Sequence, residues 1–409
     1  MSLPHVVRIA PRRRCVRGVA GVVVLGLVLL AGCAPRSRAP SAVPASPVRL
    51  SLVGSVVFPP GDLANRLHVL GSVSGLARDP VSGRYLAAID DRQPARLVWL
   101  DVRYDGALHV VPGDIVTLTP GPGTDARRVT AADLEGLAAL PDGTFVASEE
   151  GHRSTGAPGQ PPAGDWPIAL ISIDRALTAT RIDEWPAAFA LGPAGGGLRD
   201  NQGAEALTAT PDGRLIAGLE QPLYTDADAM DRNGRPFGGG RGGPGRLVEF
   251  VRTGSGWSAR RQWIYPIAPT AVREGLDDIC DDGENGLTDV LALDTTRFLS
   301  LERACLVDRT TRRVRNTVVV SLVDVSSADD VSGLASARGA TARPAAKTPV
   351  LDFDTLISSL PPELALLDNF EALAFGPPLP DGTRTLLVAS DDNFRATQHT
   401  AFLLFSINF

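Results

Sequence analysis

One phrase recurs along this chain, and it restricts the fold more than any other feature. A small or acidic residue opens it, Gly/Ala-Leu-Ala or a near variant follows, and then come a Pro-Asp-Gly-like turn, an apolar strand and acids at the strand's end. The copies are SGLARDPVSGRYLAAIDD (74–91), EGLAALPDGTFVASEE (135–150), EALTATPDGRLIAGLE (205–220), the looser LTDVLALDTTRFLSLE (287–302) and EALAFGPPLPDGTRTLLVASDD (371–392). Leu76, Leu137, Leu207, Val290 and Leu373 mark the copies at intervals of 61, 70, 83 and 83 residues. The Asp-Gly pairs at 142–143, 212–213 and 381–382 are turn dipeptides between short apolar runs, so each phrase reads as a hairpin.

Between the hairpins lie further strand candidates, LVWLDVR (97–103), IALISIDR (168–175), GRLVEFVR (245–252) and TVVVSLVDV (317–325). Two inner and two outer strands make a four-stranded antiparallel sheet, and repeating that sheet radially hides its edges. The expected fold is therefore an all-β propeller. Six blades are expected because the long intervals have room for a degenerate one, with five to seven compatible. A two-sheet sandwich fits less well, since it does not repeat one acidic phrase at one strand end. The strand near 51–58 is placed to pair with the final FLLFSI and close the ring.

The compartment follows from the N-terminus and the cysteines. Arg8, Arg12, Arg13, Arg14 and Arg17 precede an uncharged apolar run from Gly18 to Gly32, the order of a secretory signal. Leu30-Ala31-Gly32-Cys33 matches a bacterial lipobox, so residues 1–32 are expected to be removed and Cys33 to carry lipid. Residues 33–47, rich in Pro, Ala and Ser, then form a tether to a domain at 48–409. A lipid-anchored envelope protein, periplasmic or at the outer membrane, is the expectation. Cys15 leaves with the signal, and in an exported chain the remaining Cys280 and Cys305 are expected to form a disulfide. Without its leader the chain has 35 basic against 46 acidic residues, which disfavours nucleic acid and favours cations. Lys347 is the only lysine.

In a propeller, a residue type that recurs at one repeat position becomes a cluster around the central channel. The phrase-opening Glu135, Glu205 and Glu371, with Asp289, are thereby expected to converge. The strand-end acids Asp90, Asp91, Glu149, Glu150, Glu220, Glu302, Asp391 and Asp392 come one hairpin away. Such crowding needs a neutralising cation or arginines, and hard oxygen donors suit Ca²⁺ better than Zn²⁺. Asp142, Asp212 and Asp381 are read as turn formers. Arg153, Arg199 and Arg303 are candidates to clamp phosphate oxygens, and His152 is a candidate acid or base. The chain lacks a G-x-S-x-G elbow, an HExxH motif, an EF-hand loop and a phosphate loop.

These phrases, above all DNFEALAFGPPLPDGTRTLLVASDDNF (368–394), resemble the bacterial phytase-like domain family, also called the esterase-like activity of phytase family. The resemblance runs from about Gly71 to the C-terminus. It implies a secreted or lipid-anchored propeller hydrolysing phosphate esters or diesters with a divalent cation. The implied acids are Glu135, Glu149, Glu205, Glu220, Glu302, Glu371, Asp391 and Asp392. The fourth phrase departs from the pattern with Leu287-Thr288-Asp289, and the first opens with Ser74.

The expected activity is thus a Ca²⁺-dependent phosphoesterase acting, as a monomer, on a small phosphorylated or ester substrate. Glu135, Glu205, Glu371 and His152 are its catalytic candidates; Glu149, Glu220, Glu302, Asp289, Asp391 and Asp392 are its metal ligands. Two rivals stand beside it: a non-catalytic propeller binding a ligand or partner, and a lactone or carboxylester hydrolase.

Overall fold

The computed structural model describes residues 47–58, 71–91, 95–154, 164–190, 197–226, 242–254, 256–270, 276–279, 285–308 and 310–409. The five phrases become the two inner strands of five antiparallel blades of a β-propeller. Blade 1 runs Val73–Arg78, Tyr85–Ile89, Arg96–Tyr104 and Leu108–Thr117 outward from the axis. Blade 2 is Leu134–Ala139, Phe145–Glu149, Ala169–Ile173 and Thr178–Glu184, with Thr119–Pro120 added in parallel at the rim. Blade 3 is Ala204–Ala209, Leu215–Leu219, Gly243–Thr253 and Gly256–Ile267. Blade 4 is Gly286–Ala292, Arg297–Asp308, Val314–Asp324 and Ala346–Asp352, with Leu276–Ile279 beside the second strand. Blade 5 takes Asn369–Phe375, Thr385–Asp391 and Thr400–Asn408, and the N-terminal Arg49–Phe58 supplies its outer strand.

That last pairing closes the ring as the sequence leads one to expect, with Ser51 opposite Ser406 and Phe58 opposite Thr400. The blade count is five, inside the expected range and one below the favoured six. The long intervals are filled by lengthened outer strands and by residues 325–345, which lie over blade 3 through contacts of Val331 and Ala337 with Ile264.

Each hairpin forms where the turn chemistry dictates. Gly143, Gly213 and Gly382 have φ of +78°, +81° and +85°, a backbone region glycine enters without cost. Asp142 Oδ1 and Asp381 Oδ1 accept the amides of Thr144 and Thr383 at 3.0 and 2.9 Å. These aspartates therefore do turn work, as expected.

The core is divided among the blade interfaces. Leu86 and Leu97 of blade 1 meet Phe145 and Ile171 of blade 2. Leu170 of blade 2 meets Leu215 and Phe250 of blade 3. Leu247 and Tyr265 pack on Leu287 and Phe298, Leu301 and Val318 on Val388 and Leu403, and Phe402 on Val98. Strands buried on both faces need continuous apolar runs such as YLAAI and LIAGL, which is how the inner hairpins read.

No helix among the described residues is long and apolar enough to cross a membrane. The signal, Cys33, most of the tether and Cys280 lie outside the described residues. Cys305 sits on Arg297–Asp308, and its neighbour Leu306 pairs with Ile279, the residue before Cys280.

Candidate metal and phosphate site

Every inner strand carries a register irregularity where its phrase opens: Val73/Gly75, Leu134/Leu137, Ala204/Ala206, Leu287/Asp289 and Phe370/Ala372. A bulge adds an unpaired residue and re-aims its side chain. The re-aimed positions are Ser74, Glu135, Glu205, Thr288 and Glu371. One residue on stand Gly75, Gly136, Ala206, Asp289 and Ala372, where the strands crowd together. A Cβ on Gly75 would come within 2.2 Å of the Glu135 carbonyl oxygen, and one on Gly136 within 2.5 Å of that of Glu205.

The second strands supply a parallel ring. Asp90, Glu150 and Glu220 donate their amides to the carbonyls of Ser72, Asp133 and Gly203, while Arg303 pairs with Gly286 and Asp391 with Asn369. Asp90, Glu150, Glu220, Arg303 and Asp391 are thus equivalent, and blade 4 has a guanidinium where the other blades have a carboxylate. The two glycines of the partner set make room for neighbouring acids. A Cβ on Gly203 would meet the Glu150 carbonyl oxygen at 1.9 Å, and one on Gly286 would meet Glu220 Cγ at 2.6 Å.

Two groups of carboxylates result, Asp90 with Asp133 and Glu135, and Glu150 with Glu205 and Glu220. Within each group the oxygens lie within 4.8 Å of one another. Arg303 stands beside the second group, its Nη1 3.4 Å from Glu220 Oε1 and its Nη2 2.8 Å from Glu371 Oε1. Asn369 Nδ2 donates to Glu371 Oε1 at 2.8 Å and to Asp391 Oδ2 at 3.2 Å. Glu205, Glu220 and Arg303 line a polar cavity of about 640 Å³ that Asn201, Gln202 and Asn316 also border.

Burial and mutual repulsion dominate the electrostatics. Burial raises Glu135 far above the ordinary carboxylate range, and Glu205, Asp90, Asp133 and Glu150 add to it. Glu205 is raised in the same way by burial and by Glu220, Glu371 and Glu150, with Arg303 opposing. Burial pushes Asp90 up to about 8, with Asp133 and Asp391 contributing. Glu371 also reaches about 8 through burial, held from going higher by Arg303. Burial works against the Arg303 charge, but Glu371, Glu220 and Glu205 outweigh it and hold its pKa above the ordinary value.

A family model described as "Phytase-like: Esterase-like activity of phytase" matches residues 68–394, the span that carries this acidic ring. The chain belongs to the phytase-like family. No curated protein sequence matches it. Similar solved structures include an endo-arabinase from Bacteroides thetaiotaomicron, 9% identical, covering 87% of this chain and 96% of its own, with a TM-score of 0.39. The mannose phosphorylase MPT-4 of Leishmania mexicana in complex with phosphate ion is 10% identical, covering 83% and 90%, with a TM-score of 0.33. A gluconolactonase from Xanthomonas campestris is 10% identical, covering 89% and 96%, with a TM-score of 0.31.

In this phytase-like propeller the expected Glu135, Glu205, Glu371, Glu220, Asp391 and Arg303 do come together. Asp289 and Glu302 stand one position off the ring, because the blade 4 bulge falls on Thr288. Asp289 instead bridges strands: Oδ1 accepts from Val290 N at 2.8 Å and Leu207 N at 3.4 Å, and Oδ2 from Leu373 N at 2.6 Å. Glu302 is taken by Lys347, by the Tyr265 hydroxyl at 2.6 Å and by Asn285 Nδ2 at 2.6 Å. Glu149 accepts the Asp133 amide at 3.2 Å, and Asp392 accepts the Ser72 amide at 2.9 Å. Neither lies in a carboxylate group. Arg199 is buried but does not line the cavity. His152 and Arg153 fall on a short hairpin, His152–Ser154 with Gly164–Trp166, and their side chains lie outside the described residues.

Sequence reasoning passed over Asp133, which no other copy of the phrase repeats. It named Asp90 and Glu150 only among the strand-end acids and chose Glu149 as a metal ligand, whereas Glu150 is the one that joins Glu205 and Glu220. Asp91 pairs with Arg96 instead.

Proposed function

We propose that this phytase-like propeller is a divalent-cation-dependent hydrolase of phosphate esters or diesters, held at the bacterial cell envelope by lipid on Cys33. One observation carries the reading: Glu205 and Glu220 of one carboxylate group and the Arg303 guanidinium together line a polar cavity. The donors are hard oxygens, several of them buried, and they are mutually repelling until a cation or protons neutralise them. That donor set fits calcium, which accepts many oxygens at flexible geometry. Glu150, Glu205 and Glu220 would hold one ion, and Asp90, Asp133 and Glu135 could hold another. When bound, such an ion supplies charge for phosphate oxygens and a more acidic water.

The chain's own residues do the rest. Arg303 keeps a fixed positive charge between Glu220 and Glu371, beside the place where a phosphate would meet the carboxylate group. Glu371, at about 8, is near the working pH of a proton carrier, and Asn369 fixes its orientation. Asn201, Gln202 and Asn316 offer amides to a polyol or ester oxygen. The test is turnover of phytate, a phosphodiester, a carboxylester and a lactone, each with calcium and with chelator. Calcium-dependent phosphate-ester cleavage is expected. Turnover of the lactone or carboxylester alone would move the reading to that chemistry, and silence on all four would make this a binding propeller.

A further inference from the structure

The 640 Å³ cavity does not end at the acidic floor. A second hollow of about 270 Å³ shares Val314, Asn316, Arg395 and Gln398 with it and extends away from the carboxylates. The charge changes sign along the way, because Arg312, Arg313 and Arg395 line this annex. Of the two acids there, Asp368 is occupied by His399, whose Nδ1 lies 3.0 Å from Asp368 Oδ2, and Glu363 stands alone against the arginines. The guanidinium groups of Arg313 and Arg395 make no hydrogen bond or ion pair with described residues. That contrasts with Arg303, which is already engaged by Glu371 and Glu220.

Two further features point to a ligand. Gln398 lies where the cavities join, is only 8% exposed, and its Oε1 has no hydrogen-bond partner among the described residues. A buried amide group of this kind ordinarily finds a partner, so it is matched to something that enters. Both arginine-bearing turns are also held in place before any ligand arrives. Asp308 Oδ1 accepts the Thr310 and Thr311 amides at 3.1 and 2.7 Å. Asp391 and Asp392 accept the amides of Asn393 and Phe394 at 2.6 and 3.0 Å, with φ of +48° and +49° at these two residues. Strain of this kind is kept where surrounding bonds impose it, commonly at binding sites.

We infer that the annex is a subsite for an anionic group, phosphate or carboxylate, on the non-reacting part of the substrate, gripped by Arg313 and Arg395 and hydrogen-bonded by Gln398. This rests on the phosphate-ester reading, whose substrate it narrows to esters with a second negative charge. Guanidinium bonds to such oxygens are charge-assisted and, in a partly enclosed hollow, add usefully to affinity.

The experiment is calorimetric titration, with calcium present, of the whole protein by three non-hydrolysable probes: phenylphosphonate, 4-carboxyphenylphosphonate and benzene-1,4-diphosphonate. Wild-type protein is expected to bind the two dianionic-ended probes about tenfold tighter than phenylphosphonate. The R313A variant, which removes an arginine that lines the annex and not the main cavity, is expected to lose most of that preference while binding phenylphosphonate as before; the side chain is at the surface, and an unchanged melting temperature checks the fold. A preference for only one of the two probes identifies the anion. Equal binding of all three by wild type, or a preference that survives in the variant, would overturn the subsite. Turnover of the corresponding phosphate esters is read separately, so absence of hydrolysis with an intact, arginine-dependent preference would refute the phosphoesterase reading and leave the subsite standing.

Discussion

Arg303 donates twice to a single oxygen of Glu371, through Nε at 3.1 Å and Nη2 at 2.8 Å, from the position where four other blades carry an acid. It is the cation the acidic ring contains without any ligand. Arg303→Met should therefore leave Glu371, Glu220 and Glu205 uncompensated. Breaking a buried pair from one side costs about 3–5 kcal/mol. A melting temperature lowered in chelator, partly restored by calcium, is the expected result; an unchanged melt would mean the ring is neutralised some other way.

The metal-free protein should lose stability as pH rises. Asp90 and Glu371 titrate near 8 when folded, against ordinary values of 3.8 and 4.5, so between these limits the folded state holds protons that the unfolded state has released. Stability from these groups is full below about pH 4 and is lost progressively up to about pH 8, at up to ~1.4 kcal/mol per unit for each fully linked proton. Calcium should replace those protons and flatten the slope. Melting curves from pH 5 to 9, with chelator and with calcium, check this, and calorimetry in buffers of different ionisation enthalpy should show proton release on calcium binding.

Asp289 is expected to be a strut. Its carboxylate ties blade 4 to the inner strands of blades 3 and 5 through Leu207 N and Leu373 N. Asp289→Ala would orphan buried amides at about 1–3 kcal/mol each. The melting temperature should fall while the rise produced by calcium stays the same. A variant that melts normally yet no longer responds to calcium would instead make Asp289 a ligand.

That distinction shows where the sequence stops being readable. The repeat, the Asp-Gly hairpins, the closure by residues 51–58 and the convergence of Glu135, Glu205 and Glu371 all follow from local pattern and from the geometry of a ring. The paired acids do not resolve themselves. In Asp90-Asp91 and Glu149-Glu150 adjacent side chains take opposite faces of a strand, and only the register says which faces the axis. The same bulge opens the loose fourth phrase, but there Thr288 and Arg303 hold the ring positions, so Asp289 and Glu302, each one place away, only look like ring members. Asp133 belongs to one blade only, and a search for repetition passes over it.

Glu205→Gln and Glu371→Gln separate chemistry from folding. Glu205 has mostly carboxylate neighbours, so the metal-free fold should tolerate Glu205→Gln, and at pH 8 this variant should melt higher; Glu371→Gln keeps an amide oxygen to accept from Arg303 and Asn369 and leaves Arg303 its contact with Glu220, so it should remain folded with a lower melting temperature. Turnover should drop by about 100-fold or more for a lost ligand or proton carrier. For Glu205→Gln the stabilisation by calcium should shrink as well. Full activity in both variants would remove these glutamates from the mechanism.

Gly203 and Gly286 hold equivalent places but make way for different things. At Gly203 a Cβ would meet a backbone atom, the Glu150 carbonyl oxygen, at 1.9 Å, and blades 2 and 3 would have to part. At Gly286 it would meet Glu220 Cγ at 2.6 Å and Oε1 at 2.7 Å, the atoms of a side chain that can rotate away. Gly203→Ala should accordingly cost several kcal/mol, as overpacking against an unyielding backbone does, and expression or melting will report it. Gly286→Ala should keep most of the stability and push Glu220 off the Glu150–Glu205 group. Calcium titration of Gly286→Ala decides the matter: weakened binding in a well-folded variant places Glu220 among the ligands, and unaltered binding excludes it.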